Sequence, residues 1–343
     1  KLDDCLGGGI DKGKVGLIMG SSGFGKAQPL YAKIITPDGV KRMGDMKVGD
    51  SVIGRDGQSY KVSGVFPQGV RPIYEVMFYD NTSCRCDIEH LWTVRSNNNV
   101  KDFNISQCKT LTLNEIKDAM YNKGTHYYVP KNTIVNFTER DLGKNPYEFG
   151  RLLVNEKGAT IPEAYLYNSV ENRTALLQGM MSVCGKSSLS KGNSIVLSSY
   201  MLMQDFRFLI QSLGGYTSEM KYLNCKKWKI SFTLCDESIK LFKDETKQKK
   251  VKYRAKNNKW VGIKSIKYIG DEIAQCIMVD SPEHLYLTDD CIVTHNTSMT
   301  TCLAANAAVS KTPQNNYKGF KVLQIVFEDA PRDIRRKYMS KIS

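Results

Sequence analysis

The chain is long, strongly basic and apolar enough to fold. Its 343 residues are 41% apolar, which is sufficient for more than one domain with its own core, and its formal net charge is +14. The charge indicates a polyanionic partner such as nucleic acid, with a generally basic surface as the alternative. No secretory signal and no membrane-length apolar run is present, so we expect a cytoplasmic protein without a membrane partner.

The ten cysteines are scattered and contain no C-x-x-C pair. This usage fits a reducing compartment in which the thiols stay unbridged. Cys84, Cys86 and His90 could together hold a metal ion. Alternate residues lie on one face of a strand, however, so packing of the two cysteines in a core is the favoured interpretation. We therefore predict no metal site.

The first 26 residues contain a glycine-rich motif that lacks its last residue. Residues 20–26 read GSSGFGK, which is the phosphate-binding pattern G-x-x-x-x-G-K without the Ser or Thr that normally follows. The backbone N–H groups of such a loop cradle phosphates, and Lys26 would reach the β- and γ-phosphate oxygens. An apolar run at residues 15–19 predicts the strand before the loop.

Residues 27–134 are rich in strand and turn signals. Short apolar runs alternate with Asp-Gly and Gly-Asp turns, and a predicted hairpin then leads to His90 and Trp92. A helix is expected near residues 113–120 and a strand near residues 127–130. This block is therefore predicted to be mainly β.

Residues 135–250 differ because helical and strand patterns alternate. Apolar residues recur at helical spacing in NRTALLQGMMSVCG and in MLMQDFRFLIQSLGG, and both segments end in glycine. SIVLSSY and KKWKISFTL predict strands beside them. We expect an α+β domain that interrupts a β-rich one, because residues 251–296 return to strand-rich sequence.

The end of this second strand-rich block concentrates reactive side chains. It closes with Thr294, His295 and Asn296, which are followed by Thr297. The side-chain amide of Asn296 can attack its own main-chain carbonyl and cut the chain after itself, and His295 is placed to protonate the departing amine. Thr297 would be the nucleophile on the far side of that cut.

The two flanks, residues 1–26 and 297–343, complement each other across the segment between them. This segment, residues 27–296, is called the insertion below. Joining Lys26 directly to Thr297 gives GSSGFGKTS, a complete phosphate-binding loop, followed by a predicted helix and an apolar strand that ends at Glu328. Residues 1–26 and 297–343 together number 73, too few for a whole ATPase domain. The insertion thus breaks an ATPase at the hydroxyl residue that would meet Mg²⁺.

The broken loop and the self-cleaving end together resemble an intein. The resemblance implies a mainly β splicing domain of the HINT horseshoe type with an inserted α+β domain that resembles a LAGLIDADG homing endonuclease. The flanks resemble fragments of the α/β P-loop ATPase domain of a phage or bacterial replicative helicase. The implied segments are 1–26, 27–134, 135–250, 251–296 and 297–343.

Four residues resemble those of a particular intein class. An ordinary intein begins with Cys or Ser, whereas here the first residue is Ala27, and Cys276 stands where most inteins have Asp. Together with Trp92 and Thr294, these residues resemble the class 3 inteins. The alternative is a class 1 intein in which Ala27 is an introduced block.

The class 3 resemblance implies a reaction order. Cys276 would attack the Lys26–Ala27 peptide bond, the acyl group would pass to Thr297, and Asn296 would cyclise. His90 would orient the first bond and protonate the departing nitrogen. No cofactor is needed for these steps.

The resemblance assigns supporting roles to three further side chains. Trp92 would offer an apolar wall and an N–H donor, and Thr294 would add a hydroxyl to the network. His284 would assist Asn296. A helicase fragment that carries a non-splicing module is a competing interpretation, which the combination of Trp92, Thr294 and Cys276 disfavours.

The inserted domain departs from the nuclease family at its acidic positions. That family places a metal-binding acid near the end of each signature helix, but the matching residues here are Asn155 and Cys184. We therefore expect a degenerate nuclease that binds DNA weakly and does not cut it. A splicing endonuclease that still cuts DNA is the alternative.

The flanks imply a nucleotide site that exists only after splicing. The spliced host would bind ATP and Mg²⁺, act as a homo-hexameric helicase and bind single-stranded DNA. The implied nucleotide-binding residues are Gly20, Gly23, Gly25, Lys26, Thr297, Ser298 and Glu328.

Overall fold

The residues described by the computed structural model are 27–96, 108–156, 158–223, 227–254 and 260–295. They lie in a single unit of the chain, Gly25–Thr297. Within these ranges the structure has seventeen strands and six α-helices, and it is mainly β, as the sequence predicts. None of the helices in the described ranges is long and apolar enough to cross a membrane. The elements predicted in the two flanks lie outside these ranges.

The first strand-rich block contains nine strands and one α-helix. The helix expected near residues 113–120 and the strand expected near 127–130 are both confirmed. Thr112 and Glu115 form a capping box at the start of the helix. The elements are β1 (Gln28–Pro29), β2 (Lys33–Thr36), β3 (Gly39–Arg42), β4 (Ser51–Ile53), β5 (Ser59–Phe78), β6 (Ser83–Asp87), β7 (Leu91–Val94), β8 (Lys109–Thr112), α1 (Leu113–Lys123) and β9 (Tyr128–Pro130).

The middle block alternates helices and strands, as its sequence predicts. One long strand and a short hairpin follow it. The middle elements are α2 (Pro146–Leu153), α3 (Glu163–Leu166), α4 (Val170–Cys184), β10 (Gly185–Ser188), β11 (Gly192–Leu197), α5 (Tyr200–Ser212), β12 (Tyr216–Thr217), β13 (Lys221–Leu223), β14 (Lys227–Thr233) and α6 (Glu245–Gln248). The last elements are β15 (Trp260–Val279), β16 (Leu285–Thr288) and β17 (Ile292–His295).

Two 20-residue strands, β5 and β15, form the backbone of the β-rich part. They pair antiparallel along their length and form a two-stranded ribbon with four register shifts. Such shifts bend a ribbon, and its two ends contribute side chains to different cores. One core lies around Trp92 and contains Cys84 and Cys86. The other contains Val62 and Ile277. The structure thus buries both cysteines in a core, as the packing interpretation predicts.

The first and the last strand of the segment 27–295 lie in two different sheets. Strand β1 adds to the edge of β15 in a six-stranded sheet with the order β1-β15-β5-β4. Strand β17 belongs to a separate four-stranded sheet with the order β17-β16-β2-β3. Because β2 follows β1 directly, the sheet that carries the last described residues is tied to the first ones.

The middle block has its own core on one face of a five-stranded sheet with the order β10-β11-β14-β12. Helix α2 crosses α4 at close range through two glycines. A Cβ on Gly150 would lie 2.4 Å from the Leu176 carbonyl oxygen, and a Cβ on Gly179 would lie 2.1 Å from the Tyr147 carbonyl oxygen. Only glycine permits this approach of the two backbones.

The middle block also packs against the β-rich part. Phe137 stacks on Phe208 with 6.5 Å between ring centroids, and it belongs to a core that includes Leu287 and Val293. The buried Arg173 donates to the Val135 carbonyl oxygen. The predicted boundary at residue 134 stays a prediction, since residues beyond it contribute to this shared core.

Candidate functional site

The structure brings several predicted residues together around the first and last described residues. Ala27, His90, Trp92, Cys276, Thr294 and His295 are all at most 7% exposed. The predicted residues Gly20, Gly23, Gly25, Lys26, Asn296, Thr297, Ser298 and Glu328 lie outside the described residues.

Strand pairing places Ala27 beside Cys276. In the β1–β15 ladder Gln28 pairs with Gln275 and Pro29 pairs with Ala274. Continuing this antiparallel register by one residue sets Ala27 opposite Cys276. Opposed residues in such a ladder have Cα atoms about 4.5–5.5 Å apart. The thiol that the sequence singles out therefore lies across from the residue that begins the insertion.

The Cys276 side chain is enclosed, and its surroundings are polar as well as apolar. Its Sγ lies 3.5 Å from the Ile277 carbonyl oxygen, and only 1% of the residue is exposed. Tyr286 lies close enough for its charge to interact with that of Cys276, and burial above all raises the pKa of this tyrosine well above its usual value. Tyr286 therefore stays a neutral hydrogen-bond donor at physiological pH.

A glutamine that the sequence analysis did not single out holds the chain next to Ala27. The Gln28 side chain is fully buried and accepts a hydrogen bond from the Tyr286 hydroxyl at 3.0 Å. It donates to Oγ1 of Thr288 at 3.1 Å, and Thr288 in turn donates to the Lys33 carbonyl oxygen at 2.9 Å. This network fixes strand β1 against strand β16.

His90 connects the two ends of the described segment. Its Nε2 and the Oγ1 of Thr294 form a hydrogen bond of 2.5 Å, in which the histidine tautomer decides which atom donates. The backbone N–H of His90 donates to the Asp87 carbonyl oxygen at 3.2 Å. Asp87 itself donates its backbone N–H to the Ala27 carbonyl oxygen at 2.9 Å. Three short contacts thus link Ala27 to Thr294.

Trp92 forms one wall beside this histidine. The two ring centroids lie 5.5 Å apart at an interplanar angle of 63°, an edge-on arrangement, and Phe78 packs on the indole with 5.9 Å between centroids. The indole Nε1 is buried, and among the described residues it has no hydrogen-bond partner. The structure therefore contains the apolar wall, while the N–H donor role of Trp92 stays a prediction.

Asp87 is the most unusual charged residue near Ala27. Its side chain is fully buried and pairs with Nε of Arg71 at 3.1 Å. Burial raises the pKa of its carboxyl group to about 6, although Arg71 and the Ala27 backbone N–H lower it. No sequence motif had marked this residue. An acid directly after two alternating buried cysteines, and three positions before His90, was the available signal.

His284 and His295 lie at the last described strands. His295 is the Cα partner of Leu285, so His284 directly precedes the residue that pairs with it. His284 has a left-handed backbone (φ +54°), and its N–H donates to the Ser281 carbonyl oxygen at 2.9 Å. The turn thus sets the half-buried His284 near the end of β17.

The two predicted degenerate positions lie at the ends of the crossed helices. Asn155 is exposed just beyond α2, and its side chain folds back onto the Arg151 carbonyl oxygen at 3.4 Å. Cys184 is the last residue of α4 and half-buried, and burial raises the pKa of its thiol. Among the described residues no cluster of three acidic, histidine or cysteine side chains is arranged to hold a metal ion.

Comparison with known proteins gives two sequence relatives. No family model matches the chain. The chain is 22% identical over 349 residues to a replicative DNA helicase DnaB of Mycobacterium intracellulare, covering 82% of this chain and 60% of the relative. It is 32% identical over 93 residues to a replicative DNA helicase DnaB of Mycobacterium leprae, covering 27% of this chain and 15% of the relative. The matched region therefore spans less than two thirds of the length of either relative.

The similar solved structures include two DnaB inteins. The MchDnaB-1 intein is matched over its whole length and over 79% of this chain, with 15% identity and a TM-score of 0.31. The Ssp DnaB mini-intein variant M86 is matched over 96% of its length and 81% of this chain, with 10% identity and a TM-score of 0.34.

Proposed function

We propose that residues 27–296 form an autocatalytic protein-splicing element that excises itself and joins Lys26 to Thr297. The observation that carries this proposal is the run of contacts from the Ala27 carbonyl through Asp87 and His90 to Thr294. It ties the start of the insertion to a residue two positions before Asn296. Splicing requires this proximity, because one acyl group must pass between both junctions.

The first step is attack by the Cys276 thiolate on the Lys26 carbonyl carbon. Ala27 has no nucleophile of its own, and the strand register sets Cys276 opposite it. A new sulfur–carbon bond forms, the carbon–nitrogen bond breaks, and the Ala27 nitrogen leaves with one added proton. The thiol must lose its proton before it attacks, so the rate depends on pH.

The later steps complete the exchange. The acyl group moves from Cys276 to the Thr297 hydroxyl, and Asn296 then cyclises to release the insertion. His295 protonates the departing amine, and His284 assists from the turn that precedes β16. The ester at Thr297 finally rearranges to an amide, which completes the phosphate-binding loop.

Sequence similarity supports a helicase as the host. The two flanks contain 73 of the 343 residues, so a match that covers 82% of the chain extends well into the insertion. We therefore propose that the spliced product belongs to a DnaB-type replicative helicase, which binds ATP and Mg²⁺ through Lys26 and Thr297. Hexamer formation and single-stranded DNA binding belong to the same proposal.

Mass spectrometry of the full chain tests the splicing reaction. The chain should convert into an excised segment of residues 27–296 and a ligated product of the two flanks. Cys276→Ala should abolish ligation, whereas Cys108→Ala, a half-buried cysteine outside the site, should not. Asn296→Ala should trap a branched ester that hydroxylamine releases. Ligation at the normal rate in Cys276→Ala would contradict the direct attack.

One further variant separates the two intein classes. If Ala27 merely blocks a class 1 reaction, Ala27→Cys should restore ligation in a chain that also carries Cys276→Ala. If Cys276 is the obligatory nucleophile, that double variant should stay inactive. The comparison is made on chains of equal thermal stability.

We further propose that the middle block is a degenerate LAGLIDADG-type domain that retains nucleic-acid binding. A groove on its sheet is lined by five lysines and four serines, and such a surface neutralises phosphates without reading sequence. The glycine-mediated crossing of α2 and α4 fits the paired signature helices of that family. The lysines are Lys186, Lys191, Lys229, Lys247 and Lys250.

Binding of a labelled DNA duplex at several salt concentrations tests this second function. We expect weak binding that falls steeply with salt and that Lys229→Gln with Lys247→Gln reduces, while Lys123→Gln on α1 does not. We expect no Mg²⁺-dependent cleavage, because Asn155 and Cys184 replace the paired carboxylates. Cleavage at a defined sequence would favour the alternative of an active nuclease.

A further inference from the structure

Asp87 contacts Ala27 through its main chain and approaches it with its side chain. Its backbone N–H donates to the Ala27 carbonyl oxygen at 2.9 Å. Its carboxyl group lies close enough to the Ala27 backbone N–H for that N–H to lower the carboxyl pKa. That N–H is the nitrogen of the Lys26–Ala27 peptide bond, so an ionisable side chain lies beside the atom that must accept a proton.

The two oxygens of the Asp87 carboxyl group have different surroundings. Its Oδ2 pairs with Nε of Arg71 at 3.1 Å, and Arg71 lies on strand β5, which pairs with β6. Its Oδ1 is buried and, within the described residues, completes no hydrogen bond. Hydrogen bonds of catalytic groups are often long before reaction and shorten in the transition state.

The surroundings favour a carboxyl group that exchanges its proton near neutral pH. The pKa of the carboxyl group is raised to about 6: burial raises it most, Glu89 also raises it, and Arg71 and the Ala27 backbone N–H lower it. On β15, Glu272 is the Cα partner of Arg71 and adds a second negative charge to this neighbourhood. Strand β1 contributes no titratable side chain, since it consists of Gln28 and Pro29.

We propose that the Asp87 carboxyl group donates the proton that the Ala27 nitrogen takes up when the Lys26–Ala27 bond breaks, an inference that rests on the splicing function proposed above. The Cys276 thiol gives its proton to water, and its sulfur forms the bond to the Lys26 carbonyl carbon. The electrons of the broken carbon–nitrogen bond stay on nitrogen, which receives the Asp87 proton. Asp87 then recovers a proton from water, so one proton passes in total from sulfur to nitrogen.

This assignment gives Asp87 the proton-donor role that the intein resemblance implies for His90, and it leaves His90 an orienting role. His90 is bonded through Nε2 to Thr294 at 2.5 Å, which orients its ring towards the downstream end of the insertion. Asp87 faces the upstream bond, and its carbonyl oxygen accepts the backbone N–H of His90. Arg71 is a positioning residue, since it touches the carboxyl group and not the bond that breaks.

The two junction reactions can be measured separately in the full chain. Upstream cleavage is followed as release of residues 1–26 by hydroxylamine, and downstream cleavage is followed in the Cys276→Ala background. Asp87→Asn should slow upstream cleavage by about 100-fold or more, the usual contribution of a general acid, and leave downstream cleavage within about twofold. Asp87→Glu should restore part of the upstream rate.

The pH profile and the melting temperature separate chemistry from structure. With Asp87 present, the upstream rate divided by the thiolate fraction should fall as pH rises above about 6, and Asp87→Asn should remove this dependence. The Asp87→Asn chain should melt within a few degrees of the wild type. An unchanged upstream rate, or equal losses at both junctions, would overturn the role of Asp87.

A different result would contradict the proposed splicing function itself. If the wild-type chain forms neither a hydroxylamine-sensitive species nor a ligated product, the proposed function is wrong. If the wild-type chain splices and Asp87→Asn splices equally fast, only the role of Asp87 is wrong.

Discussion

At the scale of single residues, the short hydrogen bond between His90 and Thr294 makes a specific prediction. Thr294→Val keeps the shape of the side chain but removes the hydroxyl, which leaves Nε2 of His90 buried without this partner. An unsatisfied buried polar group costs about 1–3 kcal/mol. We therefore expect ligation to slow by about 10–100-fold.

The matched variant Thr294→Ser keeps the hydroxyl and should splice at close to the wild-type rate. Both rates are measured by intact mass over time. A Thr294→Val chain that splices as fast as Thr294→Ser would show that the hydrogen bond with His90 is dispensable.

Gln28 gives a prediction confined to the upstream junction. Gln28→Ala removes the acceptor of the Tyr286 hydroxyl and the donor to Thr288, so β1 loses its anchor on β16. We expect upstream cleavage to fall by about tenfold, the loss that about 1.4 kcal/mol produces, because the Lys26–Ala27 bond is no longer held opposite the thiol. Cleavage after Asn296 should be unchanged.

The control for Gln28 is Gln58→Ala, which truncates an exposed glutamine outside this network. Both variants are assayed for release of residues 1–26 by hydroxylamine. Equal losses at both junctions in Gln28→Ala would mean that Gln28 supports the fold in general rather than the upstream bond.

The carboxyl group of Asp289 should make the stability of the fold depend on pH. Burial raises the pKa of its carboxyl group to about 7, with Asp290 adding to this and Lys33 and Arg85 opposing it. The folded state thus binds the proton more tightly than the unfolded state does. The resulting stability is complete below about pH 4, the ordinary aspartate pKa, and is lost as pH rises towards 7.

Asp289→Asn should therefore raise the melting temperature at pH 8 more than at pH 5. Asparagine keeps an acceptor for the Lys33 backbone N–H, which Oδ1 now accepts at 3.1 Å, and it tolerates the left-handed backbone (φ +45°). Asp118→Asn, an exposed substitution on α1, serves as the control. A pH-independent difference would contradict the burial argument.

The site residues divide into those that a sequence can reveal and those that it cannot. Ala27, Cys276 and Thr294 stand at recognisable distances from the ends of the insertion, and a broken motif marks those ends. Asp87 and Gln28 carry no such mark, because their roles depend on Ala27 and Thr288, which strand register brings from 60 and 260 positions away. Register is set by tertiary packing, which local sequence does not specify.

At the scale of elements, the crossing of α2 and α4 depends on glycine at two points. Gly179→Ala would place a Cβ 2.1 Å from the Tyr147 carbonyl oxygen, so the helices must separate. Overpacking of this kind costs about 1–3 kcal/mol. We expect a lower melting temperature for the middle block, measured by thermal unfolding followed by circular dichroism.

Gly143→Ala is the matched control for the helix crossing, since a Cβ there would meet nothing within 4 Å. This variant should melt like the wild type. If Gly179→Ala were equally stable, the close approach of the two backbones would not contribute to the stability of the middle block.

Local sequence predicts the kinds of elements better than their lengths. The helices at 113–123 and 170–184 follow from apolar spacing and from their caps. Strand β5 contains Pro67, Gly69 and Pro72, three residues that local sequence rules disfavour inside a strand. The strand continues through these residues because β5 pairs with β15 and the pairing shifts register at four points. The partner strand, not the local sequence, therefore sets the length of β5.

At the scale of the whole molecule, the β-rich part and the middle block share one core but not the candidate site. Two cores consist only of residues before 134 and after 251, and they surround the ribbon that carries Cys276. A third core receives Tyr167 and Phe208 from the middle block. Arg207 adds an ion pair of 2.7 Å to Asp290, in the turn between β16 and β17.

The last prediction concerns removal of the middle block. Replacing residues 138–254 with a flexible Gly/Ser linker should leave ligation within about tenfold of the full chain, because the hydrogen bonds from Ala27 to Thr294 and the β1–β15 pairing are formed by residues outside that segment. The melting temperature should fall, since Phe137 loses its aromatic partners. Both quantities are read from intact mass and thermal unfolding. Should the shortened chain fold but not splice, Arg207→Ala in the full chain decides the cause: a matching loss there, absent from the exposed ion-pair control Arg151→Ala, would show that the middle block acts on the reaction through Asp290.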